Sequence, residues 1–339
     1  MPPIWPEREG LTDRWGGIYG TRSMKEGSVK TLGQGAALCL ASLMLALAGG
    51  TIPIIGIFFG LLTPLPLILL SLKRGRVVAL LGVLTVGFCL AGLLGSGYAW
   101  IFYIEFGLPA IVLAEAIRRQ WAPEISVAAG SLTVLVGGLG GLLILSWSAG
   151  GSLLDLLRHR LDIAVREAVA LYSKMGVSPE EVETLFRSGE EVRHFLLTTS
   201  PGLFMTAALL STSANFFLAR RRSAHAAASG DSKPGFVWRV PDSLVWVFIG
   251  SAALLLSGLP IAKEIGLNGL LVMMTLYFLQ GLAIATFWVR RLQLSPLVGI
   301  LGVVLLLLQP LLLLLLTLVG LFDIWVVFRR HSLPRLPGA

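Results

Sequence analysis

Apolar stretches of about 20 residues, separated by short polar or basic joints, fill most of the chain. Coiled as an α-helix rising about 1.5 Å per residue, such a stretch matches the roughly 30 Å hydrocarbon thickness of a bilayer. The pattern predicts spanning helices near residues 31–51, 53–72, 77–96, 98–117 and 124–147, and again near 195–219, 243–261 and 267–289. Gly49-Gly50, Pro53 and Gly95-Ser96-Gly97 punctuate some joints, while Lys73-Arg74-Gly75-Arg76 and Arg118-Arg119 form basic turns between others. The last apolar run, 294–328, would measure about 50 Å as one helix, too long for a single crossing. Gln309-Pro310 divides it, so a hairpin turning near Pro310 is expected in place of one long ninth span.

Between the fifth and sixth spans the pattern changes. Leu153, Leu154, Leu157, Leu161, Val165, Ala168 and Tyr172 recur at helical spacing opposite Arg158, Asp162 and Arg166, the signature of an amphipathic helix. Ser178-Pro179-Glu180-Glu181 then offers a hydroxyl cap, a proline at the first helical position and acids for a capping box. Ser188-Gly-Glu-Glu191 repeats that logic, so two short surface helices are expected before the sixth span. The expected fold is an all-α polytopic bundle of eight spans plus the C-terminal hairpin. Its parts are a polar N-terminal segment 1–30, a five-span bundle 31–147, amphipathic helices 148–194, a second bundle 195–328 and a tail 329–339.

Composition agrees with a membrane solvent: 55% of the residues are hydrophobic and 14% charged, against about a quarter charged in soluble domains. The net charge of +8 is carried between apolar runs rather than along one face, which fits the positive-inside rule and not nucleic-acid binding. Five basic residues precede the first span. With the N-terminus inside, Lys73–Arg76, Arg118-Arg119, Arg220–Arg222 and Arg290-Arg291 also fall inside. Both termini are therefore expected in the cytoplasm of a bacterium, with segment 148–194 outside. The polar start has no apolar core with a cleavage site, so it is not a cleavable signal peptide. Met24, before a short basic leader, is an alternative start. Cys39 and Cys89 both lie in apolar runs, where neither a disulfide nor a metal site is expected.

Candidate chemistry starts at Glu105, an acid about two turns inside the fourth span, where a charge costs several kcal/mol unless paired or hydrated. Pro109 removes the backbone donor that would serve the Glu105 carbonyl and opens the helix there. The bend could hold a cation, a proton or a polar solute, or simply a hydrogen-bonded structural acid. Gln34, Asn215, Asn268, Gln280 and Gln309 are intramembrane amides, and a cavity lined by Glu105, Gln280 and Asn268 is the sharper alternative to ordinary interhelical hydrogen bonds. Glu115 is placed for surface pairing with Arg118 or Arg119. Tyr98, Trp100 and Tyr103 form an aromatic belt or cage, and Gly56-x-x-x-Gly60 and Gly137-x-x-x-Gly141 are packing motifs. HExxH, GxSxG and phosphate-loop signatures are missing, and all four histidines fall outside the spans. Neither catalytic residues nor a cofactor is expected.

Pro64-Leu-Pro66, Pro201 with Ser211-Thr-Ser-Ala-Asn215, Asn268-Gly269 with Leu279-Gln-Gly281, and Gly320-Leu-Phe-Asp323 with Phe328-Arg329 together resemble the YybS-like family of bacterial membrane proteins. That family is similar in its N-terminal helices to the substrate-binding subunits of energy-coupling-factor transporters and to cell-shape components of the MreD type. The resemblance implies solute capture without an ATPase of its own, or a scaffold, and carries no catalytic residue. Asn215, Asp323 and Arg329 are then candidates for packing or for coupling to a cytoplasmic partner. The leading expectation is a transporter-like component with a polar cavity around Glu105 for a small polar solute. The alternative is a scaffold whose partners are membrane or cytoplasmic proteins.

Overall fold

The computed structural model describes residues 16–51, 55–148, 179–227, 238–295 and 309–326, together with single positions between 152 and 166 and between 299 and 305. Every regular element among them is helical. In the N-terminal half these are α1 (Gly16–Thr51), α2 (Ile55–Leu61), α3 (Pro64–Arg74), α4 (Arg76–Leu94), α5 (Ser96–Phe102), a π-helical stretch (Tyr103–Gly107), α6 (Leu108–Arg118) and α7 (Pro123–Ser148). The second half has α8 (Pro179–Ala227), α9 (Leu244–Leu256), α10 (Pro260–Arg291) and α11 (Pro310–Val326). Seven stretches among the described residues are long and apolar enough to cross a bilayer: Gly33–Thr51, Gly56–Arg74, Arg76–Leu94, Ser96–Arg118, Pro123–Ile144, Glu191–Ser223 and Pro260–Arg291. The protein is a polytopic helical membrane protein.

Two helices act as posts. In α3 four consecutive residues, Leu67 to Leu70, are buried, which requires neighbours on every side of the helix; α1, α4, α6 and α8 supply them. In the second half α10 is enclosed by α8, α9 and α11. Helix α8 touches both posts and joins the halves. Outer helices invert the soluble pattern: Leu80, Leu81, Leu84 and Phe88 of α4 are exposed, as expected of side chains whose solvent is lipid.

Helix ends follow from local chemistry. Single glycines with positive φ, Gly75 and Gly95, turn the chain between α3 and α4 and between α4 and α5, a conformation that L side chains rarely adopt. At Gln120 and Gln293, also at positive φ, the next N–H reaches back five residues, Trp121 to Ala116 and Leu294 to Val289. Each is a Schellman stop within two residues of an Arg-Arg pair, whose charges suit the negative end of a helix.

Several expectations need correction. The second span stands as Gly56–Arg74, but its helix is interrupted, because Pro64 and Pro66 withdraw two backbone donors and the chain turns at Leu62-Thr63. The expected span 243–261 is a helix of only 13 residues, preceded by a non-helical segment, Trp238–Ser243. Ser188 starts nothing, since α8 runs unbroken from Pro179 through the sixth span. Helix α11 begins at Pro310 as the hairpin requires, but most of the first arm and of helix 153–172 lies outside the described residues, as do the ends 1–15 and 327–339.

Candidate functional site

Around Glu105 the helix opens into a π-helical stretch, with the N–H of Leu108 reaching the carbonyl of Tyr103 five residues back just before Pro109. Such a stretch carries one extra residue relative to an α-helix. Tyr103 turns inward over Gly87 of α4, its hydroxyl donating to the Leu84 carbonyl at 3.2 Å; Tyr98 and Trp100 stay exposed. Ile104 faces Gly137 and Gly141 of α7, and Gly107 faces Val83. Between these inward residues Glu105 is partly exposed, without a side-chain hydrogen bond or ion pair among the described residues. Ile101 and Leu108, one turn either side, are 51% and 46% exposed.

Asn268 has an unrelated environment. Pro201 interrupts the backbone ladder of α8, and the carboxamide of Asn268 on α10 fills the gap. The Gly202 N–H donates to Asn268 Oδ1 at 2.6 Å, while Asn268 Nδ2 donates to the Thr198 and Glu264 carbonyls, both at 2.8 Å. Ser200 Oγ donates to the Leu197 carbonyl at 2.9 Å, the acceptor that the proline nitrogen cannot serve. A Cβ at residue 202 would stand 2.8 Å from Asn268 Oδ1, so only glycine admits this approach.

Gln280, further along α10, holds the non-helical segment. The Val240 N–H donates to Gln280 Oε1 at 2.8 Å, and Gln280 Nε2 donates to Asp323 Oδ2 of α11 at 3.1 Å. All three residues are buried. Beside them α10 and α11 cross almost backbone to backbone: a Cβ at Gly281 would overlap the Leu316 carbonyl, and one at Gly320 the Tyr277 carbonyl. The neighbouring Arg239 N–H donates to Glu124 Oε1 of α7 at 3.2 Å. Non-helical backbone at membrane depth is tolerated where protein satisfies it, and these contacts do so.

Asn215 closes the break in the second span. Its Nδ2 donates to the Leu61 carbonyl at 2.6 Å, joined there by Ser211 Oγ at 3.1 Å, while Ser42 Oγ of α1 serves the Thr63 carbonyl at 2.9 Å. Carbonyls freed at the end of α2 are thus capped by α1 and α8. Arg329 lies outside the described residues. At one end of the bundle Glu115 accepts from Arg76, Arg118 and Arg119, and Arg118 also donates to the Ser71 carbonyl at 2.9 Å.

The three residues expected to share a polar cavity do not meet. Asn268 and Gln280 are 12 residues apart on α10, about 18 Å along its axis, and each is committed to its own joint. Glu105 sits on a stretch packed against α3, α4 and α7, away from both. The residues missed were backbone partners, the Leu61 carbonyl and the Val240 N–H. Their signals were Thr63-Pro-Leu-Pro66 and the Pro241 that breaks an apolar run, but neither names the side chain that answers.

The motif pairs now read as contacts: Pro201 with Asn268, Ser211 and Asn215 with the break before Pro64, and Leu279-Gln-Gly281 with Gly320 and Asp323. A family model described as "Predicted membrane protein (DUF2232)" matches residues 40–324, most of the chain. The chain belongs to the DUF2232 family. The matched region runs from α1 into α11 and includes every joint above as well as Glu105. No curated protein and no solved structure matches the chain.

Proposed function

We propose that this DUF2232 protein is a non-enzymatic subunit of the bacterial cytoplasmic membrane, with both termini inside, that binds a transmembrane helix of another protein at Glu105. One observation carries this reading. Asn215, Asn268, Gln280 and Asp323 are engaged in joints between helices, whereas Glu105 has no side-chain partner among the described residues and is partly exposed between the exposed Ile101 and Leu108. It lies nine residues into the span that begins at Ser96, about 13 Å deep. An acid at that depth is costly alone and favours a partner that brings a cation or amide donors. The assembly reading follows from the acid's partly exposed position on the face of Ile101 and Leu108; the carrier reading suggested by the YybS-like resemblance needs a polar cavity around it.

The test is purification from native membranes in mild detergent, with mass spectrometry of proteins and small molecules that co-purify. A photo-crosslinking residue at Ile101 should capture the same stoichiometric protein, through a transmembrane peptide bearing a basic or amide side chain. Glu105→Ala should lose that protein while retaining thermal stability. A stoichiometric small solute lost with Glu105→Ala, and no protein partner, would establish the carrier instead.

A further inference from the structure

Helices α1, α3 and α4 leave a groove open to the lipid side, a cavity of about 530 Å³. Small residues create it: Gly35, Ala36 and Cys39 on α1 and Gly82 on α4 recess the walls, and Leu70 of α3 forms part of the floor. Its lips are the exposed Leu40, Val78 and Leu81. The lining is apolar but for two free thiols, Cys39 and Cys89, the Thr85 hydroxyl and one charge, Arg74. Thr85 is already satisfied, donating to the Leu81 carbonyl at 2.8 Å.

Position and charge identify an occupant. The groove follows α4 from Val78 to Cys89, 11 residues or about 17 Å, close to half the hydrocarbon thickness. It thus covers one leaflet and no more. Arg74 stands at its shallow end, beside Lys73 and the turn at Gly75. Arg76, Arg118 and Arg119 share Glu115, but Arg74 has no carboxylate among the described residues; it donates to the neutral Gln34 Oε1 at 3.0 Å. A guanidinium at the interface without a counterion among the described residues, above an apolar channel one leaflet deep, is complementary to a lipid that carries both an anion and an acyl chain.

We infer that this groove binds one anionic phospholipid from the leaflet at the basic end of the bundle, its phosphate on Arg74 and an acyl chain laid between α1 and α4. The site is separate from Glu105 and stands whether or not the assembly reading does.

The test uses the full chain in nanodiscs of phosphatidylcholine containing 20% phosphatidylglycerol, released into detergent for native mass spectrometry. Wild type should retain one phosphatidylglycerol at least tenfold in excess of its share of the bilayer. Arg74→Gln should abolish that preference and Arg74→Lys should keep most of it. Leu81→Trp, built from an exposed lip residue, should reduce retention of either lipid. Arg239→Gln, far from the groove, should change nothing. Cys39 and Cys89, the chain's two cysteines, supply a second readout without mutation: maleimide modification should be several-fold slower in phosphatidylglycerol discs than in phosphatidylcholine discs. Equal retention of the two lipids by wild type, or an unchanged preference in Arg74→Gln, overturns the inference. Equal thiol modification in both discs does so independently.

Discussion

Asn268 uses its carboxamide as a substitute peptide group, accepting from Gly202 and donating to Thr198 and Glu264 across the proline break in α8. Removing it strands a donor and an acceptor in an apolar environment. Asn268→Leu should therefore destabilise the folded protein by about 1–2 kcal/mol, the upper range for intramembrane hydrogen bonds, measured by denaturant unfolding in mixed micelles. Gly202→Ala should act in the same direction by pushing α10 away, with little added effect in the double variant because both break one joint. Gln280 and Asp323 obey a related logic. Gln280→Leu alone leaves Val240 and Asp323 without that amide, so adding Asp323→Leu should cost less than the sum of the single changes, a coupling of about 0.5–1.5 kcal/mol in a double-mutant cycle. The amides were legible in the sequence as intramembrane hydrogen-bonding groups. Their partners were not, because Thr198, Gly202 and Val240 take part through the main chain, which every residue carries alike.

At the scale of elements, the long apolar helices could be read directly from hydropathy, and the opening of the fourth span from Pro109. What escaped was the form each interruption takes. A proline tells where a ladder must break, but whether the break becomes a turn, as at Leu62-Thr63, a gap bridged inside one helix, as at Pro201, or a π-helical stretch, as before Pro109, depends on the helices packed against it. Segment 243–261 was misjudged at its far end: its apolar content is that of a span, but Ser257 and Leu259 take extended backbone and Pro260 opens the next helix, so this one stops at Leu256. The π-helical stretch makes its own prediction. Because it holds one extra residue, deletion of Glu105 should restore α-helical phase with Tyr103 still over Gly87 and Gly107 still at Val83. That variant should fold with near wild-type thermal stability, read by fluorescence-detected size exclusion. Deletion of Ile111, inside the regular helix α6, would rotate every later residue by about 100°, taking the buried Leu113, Ala114 and Ala116 off their contacts, and should abolish the folded peak. Equal behaviour of the two deletions would mean that the extra residue is not a separable insertion.

The whole molecule is polar in the sense of having two unlike ends. Contacts, not just loop composition, gather many of the basic residues at one of them: Arg118 reaches Ser71 beside Lys73, and Arg76 shares Glu115 with Arg118 and Arg119. Trp238 touches Phe217 near Arg220, while the adjacent Arg239 donates to Glu124 just past Arg119. The opposite turns, at Gly95 and at Ser257–Leu259, contain no Lys or Arg. Basic residues close to span ends are retained in the cytoplasm, and in this bundle they cannot be divided between two sides without breaking the contacts that unite them. Orientation is therefore a property of the fold as a unit, and one basic turn reversed by mutation should not invert the rest. In a background with Cys39 and Cys89 changed to Ala, Lys73→Cys should react with an impermeant maleimide only after the cytoplasmic face is opened, and Ser257→Cys should react in intact cells. Both should keep that behaviour when Arg118 and Arg119 are changed to Gln, since the remaining basic turns favour the same side. Labelling of Lys73→Cys in intact cells would reverse the assignment of both ends. It would also place the acyl groove beneath Arg74 in the outer leaflet, so the orientation experiment decides which leaflet supplies the lipid.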